Sequence, residues 1–342
     1  MNALDQAPSY GSPFPPPPPF RDRGTAILLM GLFVAFLGLC CLGMMALMGV
    51  GLAASAVSPA APKTPLRSLI PAISAYLGFA VFFLTTGIGS AMVKRWARAL
   101  LAVVSWMWLT IGGFSLALVA VLLPKFRELF EAAAPPGAAA PPAGLMVGCL
   151  LVALIAIYVA LPLPLALFYS GTNVRATFEA RDRPRWTDRL PTPLLGLFLV
   201  FAFTFLASLT LPLYGVIPAF GRLLSGPSAW AFGLTFAAAT GAGAWWVWQR
   251  SILGWWTGVA LWLVGAVSTV LTFVGDFDWN AYYSQAGLTE QQIRMTRGLS
   301  PAELFANPFV LGLMILMWIG ISVVLFWTKK FFADPGASES AA

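Results

Sequence analysis

Four carboxylates fall within one polar stretch of this chain: Asp276, Asp278, Glu290 and Glu303, in "GDFDWNAYYSQAGLTEQQIRMTRGLSPAELFANPF". Carboxylates this close in sequence are the residue type for general acid–base work or for activating water. The same stretch carries Trp279, Tyr282 and Tyr283, whose rings suit stacking and recognition. The rest of the usual catalytic inventory is missing. The chain has no histidine, and so lacks the commonest general base, proton shuttle and metal ligand. Cys40, Cys41 and Cys149 lie inside apolar runs, and the adjacent pair lacks the spacing of zinc ligands. Neither a G-x-S-x-G elbow nor an H-E-x-x-H nor a nucleotide loop occurs. An enzyme is therefore the third-ranked reading, and no catalytic residue, metal or cofactor is expected. A polar stretch this long, with helix signals of its own, reads as an external recognition surface. Its candidates are Asp276, Asp278, Trp279, Tyr282 and Tyr283. A lid packed across the helix ends is the equal alternative.

Two glycine stretches resemble phosphate loops at first sight: "TTGIGSAMVKRW" from Thr85 and "ATGAGAWWVWQR" from Ala239. Each lies within a continuous apolar run, not between a strand and a helix, so neither has the context of a phosphate loop. In lipid, helices associate by close approach, which small residues allow. Gly87, Gly89, Gly241 and Gly243 are accordingly read as helix-packing positions, with the two runs that carry them meeting at the centre of the molecule. A pore needing narrow backbone is the lesser alternative.

The elements that must position these residues follow from composition. The chain is 59% hydrophobic and 10% charged, whereas soluble domains carry roughly a quarter charged residues. Eight apolar runs of about the 20 residues needed to cross a bilayer occur. They fall at about 25–53, 71–92, 98–123, 145–168, 193–217, 229–248, 254–275 and 308–328. The first is too long for a signal peptide and reads as a retained anchor. None holds Asp, Glu, Lys or Arg in its interior, which leaves no intramembrane ionisable group for a proton relay. Pro162 and Pro164, near the end of the fourth run, free the carbonyls of Tyr158 and Ala160, and Pro212 in the fifth frees that of Ser208. Such breaks build solute sites in transporters, but prolines are also ordinary in membrane helices. The scattered Ser and Thr hydroxyls either line a neutral path or bond to their own helix backbone.

Charge gives the topology. The net charge of +7 forms no nucleic-acid patch; it sits in short loops, as in membrane proteins. Thirteen of the 20 Lys and Arg fall on one side: Arg21, Arg23, Lys94, Arg95, Arg98, Arg175, Arg181, Arg183, Arg185, Arg189, Arg250, Lys329 and Lys330. The positive-inside rule makes that side, and both termini, cytoplasmic in a cell membrane of bacterial type. The tryptophans from Trp245 to Trp256 read as an interfacial belt there. The expected fold is an all-α integral membrane protein of eight transmembrane helices in two parallel four-helix repeats. Its parts are a Pro-rich tail 1–24, a first half 25–168, a basic junction loop 169–192, a second half 193–328 with the external loop 276–307, and a tail 329–342. Thr192 reads as a helix N-cap, Thr289–Gln292 and Ser300–Glu303 as capping boxes, and Lys125–Phe130 as a short amphipathic helix. The leading functional reading is a non-catalytic membrane component that meets the lipid bilayer along its spans and protein partners through loops 169–192 and 276–307, without nucleic acid. The second is a transporter or channel for a neutral or lipid-like solute.

Overall fold

The computed structural model describes residues 21–57, 66–133, 142–273, 275, 277–288, 290, 293 and 301–333. Pro15–Pro19, the loop 134–141, Asp276, Thr289, Gln292, Ser300 and the tail 334–342 lie outside the described residues, as does the side chain of Glu303. The described residues are helical nearly throughout. Its long elements are α1 (Gly24–Val57), α2 (Leu66–Ala91), α3 (Arg95–Ala133) and α4 (Ala143–Ile155). A π-helical turn, Ala156–Ala160, joins α4 to α5 (Pro162–Ser170). Then come α6 (Thr172–Arg181), a 3₁₀ turn at Trp186–Arg189, and α7 (Thr192–Thr210) with a second 3₁₀ turn at Leu211–Tyr214. The hairpin β1 (Val216–Ala219) and β2 (Arg222–Ser225) leads to α8 (Pro227–Trp248) and α9 (Ile252–Phe273). The chain closes with α10 (Trp279–Gln285), α11 (Pro301–Ala306), α12 (Pro308–Thr328) and α13 (Lys330–Ala333).

Among the described residues seven helices are long and apolar enough to cross a membrane: α1, α2, α3, α4 with α5, α7, α9 and α12. The sixth expected run, 229–248, forms α8, a helix of 22 residues that is not among these seven; its glycines, threonines and four tryptophans lower its mean hydropathy. The surface is inverted relative to that of a water-soluble protein. Phe309 is 75% exposed and α4 buries none of its residues, while the hydroxyls of Thr86 and Thr240 lie at sites 1% exposed. Large apolar side chains facing outward along helices of this length match a hydrocarbon surround. These helices are those of a multi-pass membrane protein.

Two apolar clusters hold the bundle together. One joins Ile27 and Val34 of α1, Phe83 of α2, Leu101 of α3, Leu165 and Tyr169 of α5, and Phe178 of α6. The other gathers α7 residues Leu194, Leu195, Leu199 and Phe201 around Leu100 and Val103 of α3, Trp255 of α9 and Leu325 of α12. Helix α3 belongs to both, and Phe82 meets Phe203 edge-on at 5.8 Å where the clusters adjoin.

Several local expectations need correction. The expected short helix at Lys125–Phe130 is the continuation of α3, which runs 39 residues through Pro124. At 1.5 Å per residue α3 is about 58 Å long, nearly twice a bilayer core. Its last turns carry the solvated pairs Lys125–Glu128 and Arg127–Glu131. Thr192 is the first residue of α7 and Pro191 caps it, with no side-chain cap bond. The end of the fifth run, at Val216 and Ile217, is strand β1. Asn307 caps α12, accepting the Phe309 N–H at 3.0 Å, with Pro308 in the first turn.

Candidate functional site

The residues of the glycine stretches face different neighbours. A methyl on Gly87 would lie 2.4 Å from the Ala35 backbone nitrogen, and one on Gly31 would lie 2.5 Å from that of Ala91. Gly38 likewise approaches the backbone of Leu84. Helices α1 and α2 thus cross backbone to backbone, the geometry small residues exist to permit. Gly89 meets the Trp96 ring at the start of α3. In α8, Gly241 and Gly243 meet the rings of Phe205 and Phe201 on α7, at 3.2 and 2.8 Å from the added methyl. So α2 packs on α1, and α8 on α7; each second run lies against the run before it, not against the other at the centre.

The prolines also separate. Pro162 opens α5 after the π turn, where the Leu161 N–H reaches back five residues to the Ala156 carbonyl at 3.0 Å. The Tyr158 carbonyl lies against α3, where a methyl on Gly112 would sit 2.8 Å from it. Pro212 lies in the 3₁₀ turn after α7, not within the helix, and its ring packs on Gly233 of α8. The Ser208 carbonyl it was expected to free accepts the Leu211 N–H. Most hydroxyls in the runs bond to their own helix: Thr86 to Phe82, Thr110 to Trp106, Ser115 to Ile111, Thr240 to Phe236, Thr257 to Leu253 and Ser322 to Trp318. Three do otherwise. Ser90 pairs with the Tyr169 hydroxyl at 2.8 Å, and Ser268 and Thr272 each accept a backbone N–H from the hairpin, at Phe220 and Gly221.

Around the polar loop, Asp278 is spent on structure: its carboxylate caps α10 by accepting the Ala281 N–H at 2.9 Å. Trp279 lies between Phe277 (4.7 Å), Phe273 (5.2 Å) and Tyr282 (5.9 Å), and Phe305 of α11 stacks on Phe273 at 4.5 Å. Trp279, Tyr282 and Tyr283 are thus one aromatic cluster, and burial pushes both tyrosine hydroxyls above their ordinary pKa. It packs against Phe273 at the end of α9.

The densest polar arrangement is at the opposite end of the helices, where the junction loop folds back onto the α2–α3 hairpin. Asp182 is its hub, with a side chain only 6% exposed. It accepts Nε and Nη2 of Arg185 at 3.2 and 3.1 Å and the Arg95 backbone N–H at 3.0 Å, with Lys94 Nζ at 3.9 Å. The Arg185 bonds and then the Arg95 amide hold its carboxyl below the usual carboxylate range, against the opposing effect of burial. Asp188 accepts the Arg185 N–H at 2.6 Å and Arg95 Nη2 at 3.3 Å. Glu179 pairs with Arg175 at 2.8 Å. The segment before α1 is tied to α6 in turn: the Arg21 N–H donates to Asn173, the Arg23 N–H to Thr177, and Asp22 pairs with Arg181. Arg98 donates to the Tyr169 carbonyl and Arg250 to that of Arg189.

Every basic residue named in these contacts was assigned to one side by the sequence, so the structure gathers that set at one end. The tryptophans there divide. Trp245 and Trp256 face outward, whereas Trp255 is buried and donates its indole N–H to the Leu325 carbonyl at 2.8 Å. Comparison with known protein families, curated proteins and solved structures finds no match for this chain.

Proposed function

We propose that this chain is a non-catalytic component of a cell membrane, bacterial in type, that crosses the bilayer eight times with both termini in the cytoplasm. The observation that carries the non-catalytic reading is where the acids are used. Asp22, Glu128, Glu131, Glu179, Asp182 and Asp188 are held in ion pairs, and Asp278 in a helix cap. Carboxylates already engaged in this way are poorly placed to move protons in a reaction. What supports the eighth crossing is the position of α8. It leads from the hairpin beside Ser268 and Thr272 to Arg250 beside Arg189, over about 33 Å at the helical rise. That matches a bilayer core of about 30 Å. The halves 25–168 and 193–328 are proposed as parallel repeats, supported by the equivalent bonds of Thr86 and Thr240. Protein partners are assigned to the loops 169–192 and 276–307. The cytoplasmic assignment of the basic end rests on the positive-inside rule.

The test is reconstitution. Liposomes containing the purified protein should hold an imposed proton gradient as long as protein-free liposomes do, as read with a pH-sensitive dye. Gradient-driven uptake of a solute would replace this reading with the transporter. One observation favours that second reading: the π turn and Pro162 interrupt the fourth span where the Tyr158 carbonyl meets Gly112. Broken helices of this kind line solute sites in transporters.

A further inference from the structure

A cleft opens at the basic end between the start of α1, the end of α2 and α6. It is lined by Arg21, Arg23 and Arg181, by the first turn of α1, and by Leu28. We propose that this cleft holds the phosphate headgroup of an anionic phospholipid, with an acyl chain running along Leu28. Its charge is the first argument. Three arginines line it beside one carboxylate, Asp22, which is already paired with Arg181. The strap 21–24 is fastened by backbone donors, Arg21 N–H to Asn173 and Arg23 N–H to Thr177, and by the Gly24 N–H to Asp22. The side chains of Arg21 and Arg23 are therefore not what secures it, and among the described residues neither makes an ion pair. The Gly24 N–H is spent on Asp22 and the Ile27 N–H on the Arg23 carbonyl, but the start of α1 still adds the partial positive charge of a helix N-terminus. Guanidiniums offer paired donors that match phosphate oxygens.

The second argument is depth, and it separates a lipid from a free phosphate. The cleft lies where a membrane-crossing helix begins, so headgroup phosphates of the adjoining leaflet lie level with it. Below the arginines its wall becomes apolar: Leu28 is 45% exposed, and Leu29 and Leu32 continue the exposed face of α1 toward the hydrocarbon. A polar head over an apolar track is the shape of a phospholipid, and an inorganic ion would use only the upper part. The inference rests on placement in the bilayer and not on the non-catalytic reading, so failure of either leaves the other standing.

The full-length protein in nanodiscs of equimolar phosphatidylglycerol and phosphatidylcholine provides the test, with native mass spectrometry counting the lipid retained. Phosphatidylglycerol should be retained preferentially. Arg21→Gln and Arg23→Gln should each weaken that retention by about fivefold, the scale of one arginine at an anionic surface. Arg183→Gln, an exposed arginine outside the cleft, should change it less than twofold. Equal loss from Arg183→Gln would reduce the effect to general surface charge and overturn the site. So would equal retention of the two lipids. A second measurement needs no variant: phosphatidylglycerol added to the detergent-purified protein should raise its melting temperature more than phosphatidylcholine does. If inorganic phosphate alone gives the same rise, the cleft is a free-anion site and the lipid assignment fails.

Discussion

Val93 and Arg250 occupy the same backbone position in two different helix hairpins. Both are left-handed, with φ of 56° and 54°. The N–H of each donates to the carbonyl three residues back, at Ser90 and Val247, and the next N–H reaches five back, to Gly89 and Trp246. These are the paired bonds of a helix C-terminus that glycine usually closes. A Cβ of any kind in this region costs about 1–2 kcal/mol. Glycine should therefore exceed alanine at both sites, reversing the order found inside helices. Val93→Gly is expected to be about 1 kcal/mol more stable than Val93→Ala, and Arg250→Gly than Arg250→Ala. Thermal unfolding of the four variants in one detergent checks this, and alanine ahead at both positions would refute it.

That relationship also shows how far the letters reached. Aligning the glycine stretches pairs Thr86 with Thr240, 154 positions on, and both threonines do make the same bond to a phenylalanine carbonyl one turn earlier. The hairpin caps, however, pair Val93 with Arg250, 157 positions apart. Helix α8 thus has nearly one more turn after its glycines than α2 has. A residue pattern marks which side chains recur; it does not fix how much helix follows them. The apolar runs were legible because a span demands both length and composition. The Asp182 hub was not, because its partners Lys94 and Arg95 are almost 90 residues away and charge pairs leave no periodic trace. The hairpin was missed for a related reason: Phe220-Gly221 lacks the Asn-Gly signature, and its flanks Val216-Ile217 and Leu223-Leu224 read as apolar span.

The close crossing of α1 and α2 gives a graded expectation. Gly87→Ala places its methyl against the Ala35 backbone, which cannot yield without moving α1, and should cost about 1–3 kcal/mol. Gly241→Ala meets only the edge of the Phe205 ring, which can rotate, and should cost less. Ala80 is fully buried beside Gly38, so it makes no control. Gly78, with open space around it, is the proper one, and Gly78→Leu should be tolerated. Yield of folded protein and melting temperature rank the three. Equal behaviour of Gly87→Ala and Gly78→Leu would rule out backbone contact as the reason for glycine.

The hairpin turn depends on α9. Phe220 and Gly221 both have positive φ, and their N–H groups donate to Ser268 and Thr272 at 3.1 Å each. Thr272 is buried, so Thr272→Val leaves the Gly221 N–H without an acceptor and should cost about 1–3 kcal/mol locally. Amide exchange across 216–225 is expected to speed up while exchange within α8 does not change. Unchanged protection in the hairpin would mean the hydroxyls do not hold it.

Asp182 gives the junction loop an acid-sensitive anchor. Its folded pKa is depressed, chiefly by Arg185, so the ionised form is favoured by folding. The stabilisation is therefore complete above the unfolded carboxylate value of about 4 and is lost as pH falls through the lower folded value. Asp182→Asn should lower stability by about 1–3 kcal/mol at neutral pH, and the gap from the parent should close below about pH 4. A gap that persists undiminished under acid would show that the carboxylate's charge is not what matters.

Two-sided labelling of single cysteines tests the eight-span arrangement most directly. In a background with Cys40, Cys41 and Cys149 replaced by serine, cysteines at Arg183, Arg222, Ser251 and Tyr283 are probed in intact cells with a membrane-impermeant maleimide. Positions 222 and 283 should label from outside, and 183 and 251 only after the membrane is opened. Labelling of 222 and 251 from the same side would mean that α8 does not cross, and labelling of 183 from outside would invert the molecule.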